Sequence, residues 1–388
     1  MCWMAVRTWT RSLLFRAAGI RTHARIALAL GGNSSLFDYH GAEAPRLRIT
    51  ARQDKWVGAM GTHGMTAPHK MLARRSLLAV SFFAFCTTHA PAADLVRVGK
   101  ASATTFAFAP IDIGKEKGIW AKYNLDVESI GFGGDARLQQ AMVADSIDFS
   151  LGSGPGMGFL AKGVPAVTVA AMANEPLAMG LSIGKNSPIK SYDDLKGATV
   201  SVSTGGSLTF WLVREFSRQR GWGPTGIKTV PLGVNPAQVA ALKAGNVQGI
   251  VTSSSIGYML EKSGDGRVLV EFGDHVKDFH THVIFGTKKF VTTHPDRVKR
   301  FLAGWIEVID FMAKNRDETI KLVAPVSQLS EDIQTREYDK AMPMLSRDLR
   351  FKPKALEVLA RSFVELEILP AAPDMKTLYT EEFLPVRK

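Results

Sequence analysis

Residues 133–153, GGDARLQQAMVADSIDFSLGS, contain in order a glycine turn, a short helix and a strand. Asp135 is a favourable N-cap, because its carboxylate can accept the free amide hydrogens of a first helical turn. Apolar residues then recur at helical spacing from 138 to 142 and alternate with strand period from 147 to 151. Glycine, serine and proline at 152–155 favour a loop. The stretch therefore predicts one helix–strand unit of an α/β fold.

The same pattern returns one hundred residues later in the chain. Residues 233–253, GVNPAQVAALKAGNVQGIVTS, align with the first stretch without a gap and are identical to it at four positions. Asn235, another good N-cap residue, replaces Asp135, and Pro236 takes the favoured first helical position. Any helix–strand unit shares some of these features, so the match alone leaves chance similarity open. We interpret it as two α/β lobes of related build that bring strand ends and helix starts to a shared cleft.

Length, charge and cysteine content narrow the class of protein. A chain of 388 residues is longer than one core usually serves, which predicts two domains. The net charge is +12, but residues 1–93 carry +9 of it and leave +3 for the rest. The basic excess therefore does not indicate nucleic-acid binding. Both cysteines, Cys2 and Cys86, lie in that segment, so the remaining chain has no disulfide, thiol nucleophile or thiolate metal site.

Residues 71–93, MLARRSLLAVSFFAFCTTHAPAA, have the features of an export signal. An arginine pair precedes an apolar stretch that is too short to span a bilayer, and a small-x-small pattern predicts cleavage before Ala93. We predict a signal peptide at 71–92 and a periplasmic protein. The general secretory route is preferred, although the arginine pair allows the twin-arginine route. Residues 1–70 show no sustained periodicity and are predicted to be disordered or not translated.

Strand and helix patterns alternate from residue 95 to about 290, and helical spacing dominates from His294 onward. This order predicts the α/β fold class. Short crossings near Gly184 and near Thr281 would divide it into two lobes. We assign residues 93–184 and 282–388 to lobe 1, and residues 185–281 to lobe 2.

Three stretches carry a resemblance to a known family: FAFAPIDIGKEKGIWAKYNLDVESIGFGGDARLQQAMVADSIDFSLGSGPG, SPIKSYDDLKGATVSVSTGGS and HPDRVKRFLAGWIEVIDFM. They are similar to the periplasmic solute-binding proteins of ABC importers for nitrate, aliphatic sulfonate and taurine. The same superfamily includes thiamine-pyrimidine precursor proteins. The resemblance is thinner over the final seventy residues. It implies a two-lobed periplasmic binding protein fold of type II, with a double crossover hinge that closes on a small molecule.

Ligands of open α/β sheets bind beyond the carboxyl ends of the strands. Here those ends carry small and hydroxyl residues, whose backbone amides can approach a ligand closely. The turn at 203–207 is the sharpest of them, because Ser207 would cap a helix whose first amides could bind an acidic head group. The predicted ligand-binding residues are Ser102, Thr104, Thr105, Gly134, Asp135, Gly152, Ser153, Gly154, Asn174, Ser203, Thr204, Gly205, Gly206, Ser207, Thr252 and Ser253.

Other side chains allow both a functional and a structural interpretation. His280 and His282 have the spacing of a short ligand pair, but no cysteine or nearby carboxylate pair completes a tetrahedral set. We therefore predict no metal site and no cofactor. Arg137 could pair with an anionic ligand, although a solvated or salt-bridged arginine explains it as well. Three aromatic residues could stack on an aromatic ligand or belong to the core: Phe106, Phe108 and Trp211.

These features favour an extracytoplasmic solute-binding protein. It would capture a small organic or inorganic anion, such as a sulfonate, nitrate or taurine, and deliver it to an ABC permease and its ATPase. We expect a monomer that binds no nucleic acid and has no catalytic residues. The main alternative is thiamine-pyrimidine precursor binding or synthesis, but the resembling synthases depend on a cysteine-rich motif and on pyridoxal phosphate. An exported ligand-sensing domain is a third possibility.

Export is predicted to depend on residues 71–92 and not on residues 1–70, because the charged start, apolar stretch and cleavage pattern all lie in the former. Deleting 1–70 should leave secretion and processing near Ala93 intact, as N-terminal sequencing of the secreted product would show. Loss of secretion in the shortened chain, while the full-length chain is still processed, would contradict the prediction.

Overall fold

The computed structural model describes residues 92–233 and 235–385, so the predictions for residues 1–70 and for the signal peptide up to residue 91 lie outside the described part. Within it, alternating apolar patterns form ten strands. They are β1 (Asp94–Lys100), β2 (Leu125–Gly131), β3 (Phe149–Ser153), β4 (Ala166–Ala173), β5 (Met179–Gly184), β6 (Thr199–Val202), β7 (Lys228–Pro231), β8 (Gly249–Ser253), β9 (Gly266–Glu271) and β10 (His282–Thr287).

The strands form two five-stranded sheets with matching topology. The first has the order β2-β1-β3-β10-β4 and the second the order β7-β6-β8-β5-β9. In each sheet the first three strands are parallel, and the fourth runs antiparallel to both of its neighbours. The two lobes therefore share one build, and the predicted α/β class is confirmed.

Helices cover the sheets and fill the carboxyl-terminal part of the described chain. They are α1 (Pro110–Glu116), α2 (Ile119–Lys122), α3 (Asp135–Val143), α4 (Met157–Ala161), α5 (Leu208–Gln219), α6 (Asn235–Lys243), α7 (Ser254–Ser263), α8 (Lys288–Thr293), α9 (Pro295–Lys314), α10 (Arg316–Ser327), α11 (Glu331–Ala341) and α12 (Pro353–Glu365). The pair α3–β3 occupies the same place in the first sheet as α6–β8 in the second, which confirms the repeated unit. No helix among these is long and apolar enough to cross a membrane.

The first crossing between the sheets lies earlier than predicted. β5 ends at Gly184 but pairs with β8 and β9, so it belongs to the second sheet. The chain therefore crosses between Ala173 and Met179 and not near Gly184. The period of β5 is that of any buried strand, and only its long-range pairing decides its sheet. The second crossing connects β9 to β10 and includes Thr281, as the sequence predicts.

The hydrophobic core joins the two lobes through the last long helix. In the first lobe, the buried face of α9 stacks Phe301 on Phe149, with ring centroids 4.3 Å apart. A second cluster combines residues of both lobes with Leu359 and Phe363 of α12. Trp211 lies in this cluster, and its indole Nε1 donates to Glu365 Oε2 at 2.9 Å. Trp211 is therefore a core residue and does not face a ligand.

A buried carboxyl group lies where α11 packs on α7. Glu337 is 1% exposed, and burial raises its pKa to about 8. The backbone N–H of Ser255 opposes that shift, while the charge of Glu271 adds to it. Glu271 accepts hydrogen bonds from Ser254 Oγ at 2.8 Å and from Tyr258 at 3.2 Å. Glu337 therefore keeps its proton in the folded state.

Replacing Glu337 with Gln should change how stability depends on pH. The folded state holds a proton on Glu337 that the unfolded state releases above pH 4.5. The contribution of Glu337 to the free energy of unfolding therefore falls as pH rises from about 4.5 to about 8. In urea unfolding, the free energy of unfolding of the variant relative to wild type should rise by at least about 1.4 kcal/mol from pH 5 to pH 8. The exposed Glu357→Gln serves as control. Parallel pH profiles for all three proteins would refute the assignment.

Candidate functional site

A cavity lies between the two sheets, at the carboxyl ends of their parallel strands. Its enclosed volume is about 80 Å³, within a space of about 590 Å³ that includes the open mouth. Its walls come from the loops after β1, β2 and β3 of one lobe and after β6, β7 and β8 of the other. The lining residues are Ala101, Ser102, Thr105, Phe108, Gly133, Gly134, Asp135, Ser153, Met179, Ser203, Leu208, Thr209, Gly233, Asn235, Gln238, Val251, Thr252, Ser253 and His282.

The structure brings half of the sixteen predicted ligand-binding residues to this cavity. Those that line it are Ser102, Thr105, Gly134, Asp135, Ser153, Ser203, Thr252 and Ser253. Those outside the lining are Thr104, Gly152, Gly154, Asn174, Thr204, Gly205, Gly206 and Ser207. The cavity thus retains one position or more from each predicted loop except the one at Asn174.

Asp135 does not act as the predicted N-cap of α3. Gly134 takes the cap position at a φ of 127°, and Asp135 is the first helical residue. Its carboxylate instead accepts the backbone N–H of Ser153 and the Ser153 hydroxyl, each at 2.9 Å. Asp135 is 4% exposed, and burial raises its pKa while the Ser153 donors and the Leu208 backbone N–H oppose that shift. The side chain therefore connects α3 to the end of β3.

The start of α5 already has partners for its first amides. Ser207 caps the helix as predicted and accepts the Phe210 N–H at 3.3 Å. The Leu208 N–H lowers the pKa of Asp135 in the other lobe, but burial of that carboxyl group outweighs this effect. The Ser207 hydroxyl also lies 3.1 Å from those of Ser203 and Thr209. The cap therefore uses the Phe210 N–H, and residues 204–207 lie outside the described cavity lining, so binding of an acidic head group at this turn stays a prediction.

Packing explains Gly154 and backbone conformation explains Gly206 in the predicted loops, and neither explains Gly205. Gly206 has a φ of +71°, and a Cβ there would face Phe159 and Ile368 and not the cavity. Gly205 has nothing within 4 Å of such a Cβ. A Cβ on Gly154 would lie 2.0 Å from the carbonyl oxygen of His280. These positions explain why a glycine-rich strand end need not contact a ligand.

Direct contacts between the lobes lie beside the cavity. A Cβ on Gly134 would come within 2.7 Å of the Thr204 Cγ2 atom of the other lobe. Asn235 Nδ2 lies 3.5 Å from Thr104 Oγ1 across the same gap. Asp135 and Asn235 occupy equivalent places in the repeated unit, and both line the cavity. Asn235 was not among the predicted ligand-binding residues, and this equivalence is the sequence signal that could have identified it as a cavity residue.

His282 lines the cavity, although the sequence analysis considered it only as part of a possible metal-ligand pair. Its ring is fully enclosed, and burial lowers its pKa to about 4, so the imidazole is neutral at pH 7. Nδ1 has no hydrogen-bond partner, and Phe108, also in the lining, packs against the ring at 4.9 Å. Neighbouring His280 points elsewhere and accepts the Lys352 N–H at 2.9 Å. No group of three or more possible metal ligands occurs in the described ranges.

Two further predicted residues take other roles. The backbone N–H of Asn174 donates to Met344 at 2.8 Å and its carbonyl accepts from Thr281 at 3.0 Å, so Asn174 joins the two crossings. Arg137 is exposed and outside the lining. Phe106 belongs to the core, in edge contact with Tyr338.

The cavity combines hydrogen-bonding groups with an apolar wall. Its described lining contains hydroxyl, amide and glycine residues, one carboxyl group and one neutral imidazole, and no lysine, arginine or cysteine. Its apolar residues are Ala101, Phe108, Met179, Leu208 and Val251. The sequence GLSIG at 180–184 matches a G-x-S-x-G motif, but Ser182 lies inside β5 and is 1% exposed. It does not stand on the exposed strand–helix turn that a nucleophile requires. The described lining therefore favours binding.

Gly154→Ala and Gly205→Ala should separate structural from tolerant glycines in these loops. The first places a methyl group against the His280 carbonyl and should cost at least about 2 kcal/mol of stability, whereas the second meets open space and should change it by less than about 0.5 kcal/mol. Thermal and urea unfolding of both variants would test this. Equal stabilities would contradict the assigned packing.

Comparisons with known proteins agree with this architecture. An aliphatic sulfonates-binding protein of Bacillus subtilis is 24% identical over 233 residues, covering 58% of this chain and 69% of that protein. The ligand-binding component of an ABC-type import system from Staphylococcus aureus, solved with zinc bound, has a TM-score of 0.64 at 17% identity and covers 75% of this chain and 97% of its own. The periplasmic nitrate-binding protein NrtA of Synechocystis has a TM-score of 0.60 at 19% identity, with 74% and 86% covered.

The two-lobed architecture is the periplasmic binding protein fold, which solved structures similar to this chain also have. The sequence profile described as NMT1/THI5 like matches residues 105–319, which is more than half of the 388 residues. The chain therefore belongs to the NMT1/THI5-like family.

Proposed function

We propose that this protein is the solute-binding component of an ABC importer. It would be exported to the periplasm, capture a small molecule in the cavity between its lobes and deliver it as a monomer to a membrane permease and its ATPase. The observation that carries the proposal is the cavity itself, which is built from equivalent strand ends of two matching sheets. Ligands bind at such strand ends, and clefts between lobes are preferred binding places.

The relatives named for sulfonate and nitrate binding favour a small anion, such as a sulfonate, nitrate or taurine, as the ligand. Hydrogen bonds would have to hold it, because the described lining contains no lysine or arginine. Binding of a thiamine-pyrimidine precursor is the second candidate, and Phe108 in the lining could contact a ring. Synthesis of that precursor is disfavoured, since both cysteines precede residue 93. A ligand-sensing role would use the same cavity with a different membrane partner.

Closure of the lobes is the step that would commit the ligand for delivery. Two chain crossings connect the sheets, at 174–178 and 272–281, which allows a hinge motion. Gly134 lies against Thr204 in the structure, and only a residue without a side chain fits there. The contact between Asn235 and Thr104 forms at the same face. We therefore interpret the described arrangement as the closed one.

The variant Gly134→Ala should prevent full closure, because its methyl group would overlap Thr204. A thermal-shift panel of sulfonates, nitrate, taurine and uncharged amides would first identify a ligand, whose stabilisation should reach about 2.7 kcal/mol at a hundredfold excess over Kd. The variant should then bind that ligand at least tenfold more weakly. Small-angle scattering should show a smaller radius of gyration on saturation for wild type only.

Gly163→Ala is the matched control. Gly163 also has a positive φ, +100°, but a Cβ there has nothing within 4 Å. Both variants should lose stability from backbone strain of about 1–2 kcal/mol, and only Gly134→Ala should lose affinity. Failure of every small molecule to bind or compact the wild-type protein would refute the proposed function.

A further inference from the structure

The apolar wall of the cavity is built by both lobes. Ala101 and Phe108 belong to the first lobe, and the second lobe adds Met179, Leu208 and Val251. Phe108 packs edge-on against the ring of His282, with centroids 4.9 Å apart, which holds the phenyl ring in place. A molecule enclosed between the lobes therefore meets apolar surface from each of them.

Several polar side chains of the lining already form hydrogen bonds within the protein. Gln238 Nε2 donates to Ser201 Oγ at 3.2 Å, and Thr252 Oγ1 donates to the Ser253 carbonyl at 3.1 Å. The Ser253 hydroxyl lies 3.0 Å from that of Ser255. Part of the hydrogen-bonding capacity of the lining is thus used inside the protein. A ligand that also covers the apolar wall gains the free energy of removing that wall from water.

The enclosed part of the cavity limits the size of an apolar group. Its volume of about 80 Å³ is room for several water molecules, and hence for a group of only a few heavy atoms. Among the anions named above, nitrate has no carbon atom to place on the wall, whereas organic sulfonates have a carbon chain. The wall therefore distinguishes ligands by their apolar part and not by their head group.

Met179 is the adaptable member of the wall. It is the first residue of β5, directly after the crossing at 174–178, and lies opposite Ser253 in the pairing of β5 with β8. Its side chain is long and unbranched, so it fills irregular space and changes shape easily. Val251 is β-branched and therefore stiff. The position of Met179 is thus the one at which the wall adjusts to the molecule that covers it.

We infer that the ligand carries an apolar group of a few carbon atoms that packs on this wall, and that Met179 sets the largest group the cavity accepts. The second lobe encloses that group through Met179, Leu208 and Val251, and the first lobe through Phe108. The inference rests on the proposed function, because it specifies what the same cavity selects. It makes Met179 a specificity-determining residue.

Two series of probes with increasing chain length test the inference on the wild-type protein. One contains methane-, ethane-, butane- and octanesulfonate, the other acetamide, butanamide and octanamide, and nitrate is the probe without an apolar group. Isothermal titration should show affinity rising about fourfold per added CH₂ up to the four-carbon members, and falling for the eight-carbon members. Affinity that rises with chain length in neither series, or nitrate as the tightest probe, overturns the inference.

Met179→Ala enlarges the cavity and should raise the affinity for octanesulfonate or octanamide, relative to the four-carbon member, at least tenfold. Val251→Ala enlarges it from the same lobe and provides a second test, and unfolding curves would establish that each variant is folded. Met172→Ala is the matched control, since Met172 is a buried methionine of β4 outside the cavity lining. It should leave the ratio unchanged.

An unaltered ratio in folded Met179→Ala also overturns the inference. If nitrate binds the wild-type protein most tightly and compacts it in scattering, the proposed function stands and only this inference fails.

Discussion

The carboxyl group of Asp135 is the contact on which the first lobe's wall of the cavity depends. It accepts two hydrogen bonds from Ser153, at the end of β3. One side chain therefore joins the start of α3 to a strand end at the cavity. Because a buried polar group without a partner is costly, both Ser153 donors must stay in place for this wall to keep its shape.

The matching topology of the two sheets explains how such a contact arises. Asp135 and Asn235 begin equivalent helices, and the lobes meet at both helix starts: Asn235 Nδ2 lies 3.5 Å from Thr104 Oγ1, and Gly134 lies against Thr204. On the other side of the molecule, α12 contributes Leu359 and Phe363 to a core that both lobes share. The cavity is thus bounded by polar contacts, while the apolar core holds the lobes together elsewhere.

Local patterns predicted the fold well, since the period of apolar residues determines α3, β3 and their copies α6 and β8. The same patterns could not assign β5, because its sheet depends on pairing with distant strands. They also gave Asp135 as a cap, although its carboxylate turns to Ser153 eighteen residues away. Gly205 and Gly206 were predicted to contact a ligand. A glycine in a sequence can mark either a positive φ, as at Gly206, or a close approach of another group, and the sequence does not distinguish the two.

A small molecule must occupy the cavity between Asp135 and Asn235 if the protein is a solute-binding component. A crystal structure of the protein with the tightest-binding compound of the thermal-shift panel tests this most directly. We expect the bound molecule between the two lobes, in contact with the cavity lining, with the Ser153 contacts of Asp135 retained. A ligand bound outside this cavity would contradict the proposed function.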